Sequence, residues 1–149
     1  MSDDFSPADA LAAVQAQRDK LAEDAASPRG YHLILALAAG VLIASPFWDS
    51  LWVVAVVYVA FFLILWGLVT WYKRAKGMWI NGLDQRPARV YSATAGAIGG
   101  GGFAASLVAE WFLHLHGASL VLAVIAVPTM TWLGYRWDAA YEQELRESA

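Results

Sequence analysis

Four long apolar blocks constrain this chain more than any other feature of its sequence. Each block carries at most one charged side chain and is close to the length of about 20 residues that a helix needs to cross a bilayer core roughly 30 Å thick. Backbone groups in lipid must be paired within the segment, and none of the blocks alternates like a barrel strand. The blocks are therefore predicted to be membrane-spanning helices over about residues 31–47, 51–72, 91–113 and 118–135.

The composition agrees with a membrane protein and excludes several kinds of chemistry. Hydrophobic residues make up 59% of the 149 residues, compared with about 45–50% in soluble domains. The chain has no cysteine, which excludes disulfides, thiolate metal sites and cysteine nucleophiles. Its net charge of −3 is too small to indicate a nucleic-acid partner. No catalytic motif such as HExxH or GxSxG occurs, so we predict neither an enzyme nor a cofactor.

The loop charges predict how the spans are oriented. The turns "SPFWDS" and "HLHG" contain no Lys or Arg, whereas the link between the second and third spans is strongly basic. Basic loops stay in the cytoplasm. We therefore predict two helical hairpins in the inner or plasma membrane, with both termini and the middle loop in the cytoplasm. The basic residues of that middle loop are Lys73, Arg74, Lys76, Arg86 and Arg89.

The residues before the first span and after the fourth are predicted to form short cytoplasmic segments. Ser6 and Pro7 suit the start of a helix over residues 6–26, although a loosely ordered polar tail fits the same stretch. Such a helix can pack on the basic middle loop or pair with another copy. The predicted fold is thus an all-α integral membrane four-helix bundle with a short cytoplasmic N-terminal helix. It divides into residues 1–30, the bundle at 31–137, and an acidic tail at 138–149.

Glu110 is the one acidic residue within the spans. Ser106, Glu110 and His114 follow one another at i+4 spacing, which places them in one row on an α-helix. Ionisable residues inside membranes are functional candidates by default, so this row is the candidate polar or transport site. Its depth argues against a transport role, because Glu110 lies about 28 Å along the helix from Tyr91 and hence near the outer headgroups. Small four-span drug–proton antiporters carry their glutamate in the first span, which has no acid here.

Candidate metal ligands lie at the same outer face, where Asp49 is a further carboxylate. Glu110, His114 and His116 are of ligand type, and Glu-x-x-x-His places two ligands one helical turn apart. The two histidines, however, are only two residues apart in a turn, and spacing alone does not supply a coordination geometry. We predict a polar turn without a metal. His32, at the inner end of the first span, is interpreted as an interfacial residue.

A run of glycines lies inside the third span. In water four successive glycines would end a helix, but leaving the helix in lipid exposes unpaired backbone. We therefore predict that the run stays helical and serves close helix packing, with a hinge as the alternative. Phe61, Phe62 and Trp66 of the second span are candidates to fill the space beside it. The predicted packing residues are Gly96, Gly99, Gly100, Gly101 and Gly102.

Two stretches carry a resemblance to a known group of proteins. "SPADALAAVQAQRDKL" (Ser6–Leu21) and "KGMWINGLDQRPARVYSATAG" (Lys76–Gly96) resemble uncharacterised small multi-span membrane proteins of actinobacteria. The resemblance implies a bacterial inner-membrane location and a multi-span bundle without an assigned substrate, and it implies no catalytic residues. The leading function is an interaction or accessory membrane protein with a protein partner or as a homo-oligomer. The alternative is a small proton-coupled transporter that uses Glu110.

Overall fold

The computed structural model describes residues 10–16, 27–28, 30–76 and 88–147. Every regular element within these ranges is helical, and the predicted N-terminal helix lies outside them apart from residues 10–16, which are helical. A 3₁₀ turn, Ser45–Trp48, follows the first long helix, and a π-helical turn, Val108–Phe112, follows the third. The long helices are α1 (Tyr31–Ala44), α2 (Leu51–Lys76), α3 (Arg89–Leu107) and α4 (Ala118–Glu147).

Four helical segments are long and apolar enough to cross a membrane, which confirms that part of the prediction. They differ from the predicted spans mainly at the end of α4. This helix continues without a break beyond residue 135 to Glu147, so at 1.5 Å per residue it is about 45 Å long and exceeds the thickness of a bilayer core. The segments are Tyr31–Trp48, Leu51–Ala75, Arg89–Phe112 and Ala118–Glu144.

The helices pack around α1 and α4. These two helices share the most extensive contact, and α3 packs mainly on α4. The side chain of Ile43 is fully enclosed at this junction by Ala123 and Ala126. Helix α2 packs on α1 but makes no extensive contact with α3 or α4. Only 11% of the most apolar part of α2 is buried, the same share as in the third segment, compared with 50% in the first segment, Tyr31–Trp48.

Two glycines allow α1 and α4 to approach each other closely. A Cβ atom added to Gly40 of α1 would overlap the side chain of Val127, and one added to Gly134 of α4 would overlap the imidazole ring of His32. Small residues at such crossings let helix backbones approach and gain dispersion contacts. The closest helix packing in the described structure therefore lies between α1 and α4.

The antiparallel helices give the structure two distinct ends. At the first, which we call the His32 end, α1 and α3 begin while α2 and α4 end; Tyr31 and Tyr72 are in edge contact there. At the second, the Glu110 end, the two tight turns meet, with the rings of Phe47 and His116 at a centroid distance of 5.2 Å. Each end contains one cluster of polar side chains, buried at the Glu110 end and partly buried at the His32 end.

Candidate functional site

The cluster at the Glu110 end depends on the π-helical turn that follows α3. In this turn the N–H of Leu113 donates to the carbonyl of Val108, five residues earlier, at 3.0 Å. A π turn is wider than an α turn and often occurs at special sites in proteins. It rotates the following side chains away from the positions that an α-helix would give them. Glu110 lies within this turn and is only 7% exposed.

The carboxylate of Glu110 closes the N-terminus of α4. Its Oε1 accepts hydrogen bonds from the backbone N–H groups of Gly117 and Ser119 at 2.9 and 3.1 Å, and from the Ser119 hydroxyl at 2.7 Å. The first N–H groups of a helix have no partner within the helix, and the helix dipole favours a negative charge beside them. Glu110 therefore serves as a capping group supplied by a different helix.

The second carboxylate oxygen is less well satisfied. Oε2 of Glu110 lies 3.4 Å from Nδ1 of His116, which is within ion-pair range. The contact lacks hydrogen-bond geometry, however, and Oε2 has no hydrogen-bond partner among the described atoms. Because the His116 side chain is 74% exposed, this contact contributes less than the three hydrogen bonds to Oε1.

Of the predicted row of Ser106, Glu110 and His114, the first two side chains are buried and the third is exposed. Ser106 is fully buried, and its hydroxyl donates to the carbonyl of Phe103 at 2.7 Å. His114 is exposed in the turn with a positive φ of 53°. The i+4 spacing assumes an α-helix throughout, and the π turn ends that register after Leu107. The structure instead brings Glu110 together with Ser119 and His116.

The metal-ligand candidates share a small recess. It measures about 130 Å³ and includes Glu110, His114 and His116 among its lining residues. Nevertheless, within the part of the chain that the structure describes, no three His, Cys, Asp or Glu side chains are grouped so that they could hold a metal ion.

A second polar cluster, at the His32 end, joins α1 to α4. Nε2 of His32 lies 2.9 Å from Oδ2 of Asp138, and the Ser27 hydroxyl donates to Oδ1 of the same carboxylate at 2.7 Å. Gly134 makes this possible, because its missing side chain leaves room for the imidazole ring. Sequence reasoning missed this cluster: His32 was interpreted as interfacial and Asp138 as the start of the acidic tail. The sequence offered one indication of this contact: His32 and Asp138 lie at the same end of two predicted spans.

A cavity lies between the four helices and extends from the His32 end towards the Glu110 end. Its volume is about 690 Å³, which is within the range of about 300–1,000 Å³ that ligand pockets in proteins span. It runs from His32 and Trp137 at one end to Leu42 and Phe103 towards the other. Over the length of α1 this corresponds to about 15 Å at 1.5 Å per residue. Its walls are almost entirely apolar and aromatic.

The glycines of α3 have different roles. A Cβ at Gly99 would contact Met130 of α4 at 3.4 Å, and one at Gly102 would meet Ile43 of α1 at 3.1 Å. At Gly96, Gly100 and Gly101 an added Cβ would have no heavy atom within 4 Å. The packing interpretation therefore fits Gly99 and Gly102 but not the other three, because α2 stands too far from α3 to cover them.

Two of these uncovered glycines, Gly96 and Gly100, line the cavity together with Phe61 and Phe62 of α2. Trp66, the third residue expected to fill the space beside the glycines, is 72% exposed on the outer side of α2. The space beside the glycine run is thus bordered by aromatic rings but not filled by them.

Compared with protein-family models, with curated proteins and with solved structures, the chain matches none of them.

Proposed function

We propose that the chain is a four-span integral membrane protein that acts as an interaction, or accessory, protein. In this proposal α1–α2 and α3–α4 form the two hairpins of a helical bundle. The His32 end faces the cytoplasm, because α2 ends there with Lys73, Arg74 and Lys76 and α3 begins there with Arg89, and basic segments stay inside. The turns at the Glu110 end, which contain no Lys or Arg, lie on the outer side.

The outer face of α2 supports this proposal. Five large side chains form a continuous stripe on it and are between 59% and 82% exposed. They are spaced alternately by four and three residues, the spacing with which one helix packs against another at a crossing angle of about 20°. We call these residues the α2 stripe: Trp52, Val56, Val59, Leu63 and Trp66.

The composition of the stripe favours a helix as its partner. Its two tryptophans are of the type that is enriched at the centres of protein interfaces, and its two valines and one leucine are typical of helix–helix seams. None of the described helices of the chain itself covers this face, since α2 packs extensively on α1 alone. We infer that the stripe packs against a helix of a second copy or of a partner protein within the bilayer.

The hydrogen bonds of Glu110 favour the proposed interaction function over proton-coupled transport. A transport glutamate has to bind and release a proton or substrate during each cycle. Oε1 of Glu110 instead accepts three hydrogen bonds that hold the start of α4. Releasing these bonds would leave buried N–H groups without partners, at a cost of about 1–3 kcal/mol each.

The absence of native cysteine makes the stripe directly testable by cross-linking. We expect Val59→Cys, oxidised in native membranes with copper phenanthroline, to give a cross-linked species at about twice the monomer mass if the partner is a second copy. The matched control is Val124→Cys on α4, which is 73% exposed but lies off the stripe, and which should remain monomeric. Because a heterologous partner need not carry a cysteine, the same two positions are also tested with a photoactivatable cysteine reagent.

The photoactivatable reagent separates the remaining outcomes. A cross-linked adduct whose mass differs from that of the dimer, and which forms from position 59 but not from position 124, identifies a different protein as the partner. Equal adduct formation from both positions, or none from position 59 with either reagent, would show that lipid alone covers α2 and would overturn the proposed interaction.

A further inference from the structure

A second exposed helix face lies beside the α2 stripe. It runs along α3 to the first residue of the π turn, and none of its residues lines the cavity between the helices. Apart from the valine at the Glu110 end its side chains are small, and a Cβ atom added to the glycine in its middle would meet no heavy atom within 4 Å. We call these residues the α3 face: Thr94, Ala97, Gly101, Ala104 and Val108.

The two faces have the same spacing. Along α2, the stripe residues from Trp52 to Trp66 follow one another at intervals of four, three, four and three residues. Along α3, read in the opposite direction from Val108 to Thr94, the intervals are again four, three, four and three. Because α2 and α3 run antiparallel, each large side chain of the stripe has one position of the α3 face opposite it when two copies meet. Small residues on one helix let the large side chains of the other pack closely.

The two faces also lie at the same height in the bundle. Within one chain the ring centroids of Tyr58 and Phe103 are 6.4 Å apart, so these positions of α2 and α3 are at a similar height. Val59 and Gly101 lie next to that pair and differ in height by about one residue, or ~1.5 Å. Copies inserted in the same direction share their depth in the bilayer. The α2 stripe of one copy therefore meets the α3 face of another without a shift along the membrane normal.

Both faces point to the outside of the bundle on the same side. Leu63 is nine residues from the buried Val54, and Ala97 is nine residues from the buried Ser106, which on a helix is two and a half turns and hence the opposite side. Because α2 and α3 are neighbours at their ring contact, the two faces form one continuous surface. A two-fold axis along the membrane normal then lets the contact occur twice in a closed pair.

The area of this surface is sufficient for a stable dimer. The five side chains of the α2 stripe are between 59% and 82% exposed, which for tryptophan and aliphatic side chains amounts to roughly 500 Å². The opposing α3 face buries a comparable area, and a two-fold pair makes the contact twice. The pair therefore buries roughly 2,000 Å², within the range of about 1,200–2,000 Å² that stable interfaces bury.

We propose that the partner of the α2 stripe is the α3 face of a second copy, in a two-fold dimer with Val59 opposite Gly101 and Leu63 opposite Ala97. The pairing rests on the interaction function proposed above and names its partner. Cross-linking between two Val59→Cys copies reports that a second copy is within reach. A cysteine on each of the two helices identifies the helix that this copy presents.

The test uses single-cysteine copies of the full chain with two different epitope tags, expressed in the same cells. One copy carries its cysteine on α2 and the other on α3, so a species with both tags forms only between two molecules. With copper phenanthroline in native membranes, we expect efficient cross-linking of Val59→Cys with Gly101→Cys and of Leu63→Cys with Ala97→Cys. The two exchanged pairs should cross-link at least about fivefold more slowly. They are displaced by four residues, or about 6 Å, and a disulfide needs Cα atoms within about 7 Å.

Two glycine variants test the same contact without cysteines. Gly101→Leu adds bulk in the middle of the α3 face, whereas Gly100→Leu adds the same side chain at a neighbouring position that lines the cavity; neither added Cβ meets a heavy atom within 4 Å. In mild detergent, sedimentation equilibrium should give a dimer dissociation constant at least about tenfold higher for Gly101→Leu and unchanged for Gly100→Leu. Ala97→Leu serves as a second variant of the α3 face should Gly101→Leu fail to fold.

The outcomes distinguish the pairing from the function on which it rests. Equal cross-linking of the matched and exchanged pairs, or equal dissociation constants for Gly101→Leu and Gly100→Leu, would overturn the contact between the α2 stripe and the α3 face. If position 59 still forms adducts that position 124 does not, the interaction function stands with another partner. If position 59 forms none, the pairing and the interaction function are both wrong.

Discussion

Replacing Gly134 with valine should lower the free energy of unfolding by about 2–3 kcal/mol. The new side chain would occupy the space that the His32 ring fills, so α1 and α4, the two helices with the most extensive mutual contact, would have to separate there. The contact between Nε2 of His32 and Oδ2 of Asp138, now at 2.9 Å, would be lost with it. Unfolding in mixed micelles by titration with sodium dodecyl sulfate, followed by circular dichroism, measures the change.

Gly67→Val is the matched control for this experiment. Gly67 also lies within a long apolar helix, but an added Cβ there meets no heavy atom within 4 Å. We expect its unfolding midpoint to remain close to that of the native chain. Equal midpoints for the Gly134→Val and Gly67→Val variants would contradict the packing of α1 on α4 that the structure shows.

Glu110→Ala should be destabilising by a similar amount, about 2–3 kcal/mol, because it removes a helix cap and leaves buried donors unsatisfied. The backbone N–H groups of Gly117 and Ser119 both depend on this carboxylate. Glu110→Gln should cost less than half as much, since an amide oxygen still accepts hydrogen bonds from the same donors. The same titration measures both variants, and equal losses for the two would contradict the capping role.

The Glu110→Gln variant also distinguishes the proposed interaction function from proton-coupled transport. It retains an acceptor for the cap but cannot exchange a proton at neutral pH. If a folded Glu110→Gln protein in reconstituted vesicles lost a proton-coupled uptake or efflux that the native protein performs, Glu110 would be a transport residue. The proposed accessory function would then have to be abandoned.

The sequence was sufficient for the helical class and for the approximate positions of the four apolar helices. Length and hydropathy determine those features, and both can be read locally along the chain. The positions of side chains beyond a helix irregularity could not be predicted in the same way. Nothing in "LVAEWF" indicates a π turn, and His114, which follows that turn, is exposed although Ser106 and Glu110 are buried.

The long-range contacts could not be predicted from sequence patterns, for a different reason. His32 and Asp138 are 106 residues apart, and their contact depends on Gly134, whose role is apparent only once α1 lies beside it. The contacts of the glycines of α3 could not be predicted from the sequence either. Their small size indicates that something can approach closely, but which of them a neighbouring helix covers depends on the position of α2. The structure leaves Gly96 and Gly100 beside a cavity where sequence reasoning placed a tight contact.

In the proposed topology the four helices cross a bilayer as two hairpins, with the Glu110 end outside and the His32 end in the cytoplasm. Because the chain has no cysteine, single-cysteine variants treated with a membrane-impermeant maleimide in intact bacterial cells test it directly. Ser50→Cys and His116→Cys, in the two turns, should be labelled in intact cells. Lys73→Cys and Gln143→Cys should be labelled only after the membrane is permeabilised. Labelling of Lys73→Cys in intact cells, together with protection of Ser50→Cys, would contradict the orientation, and the same labelling of all four variants before and after permeabilisation would contradict the membrane-spanning fold.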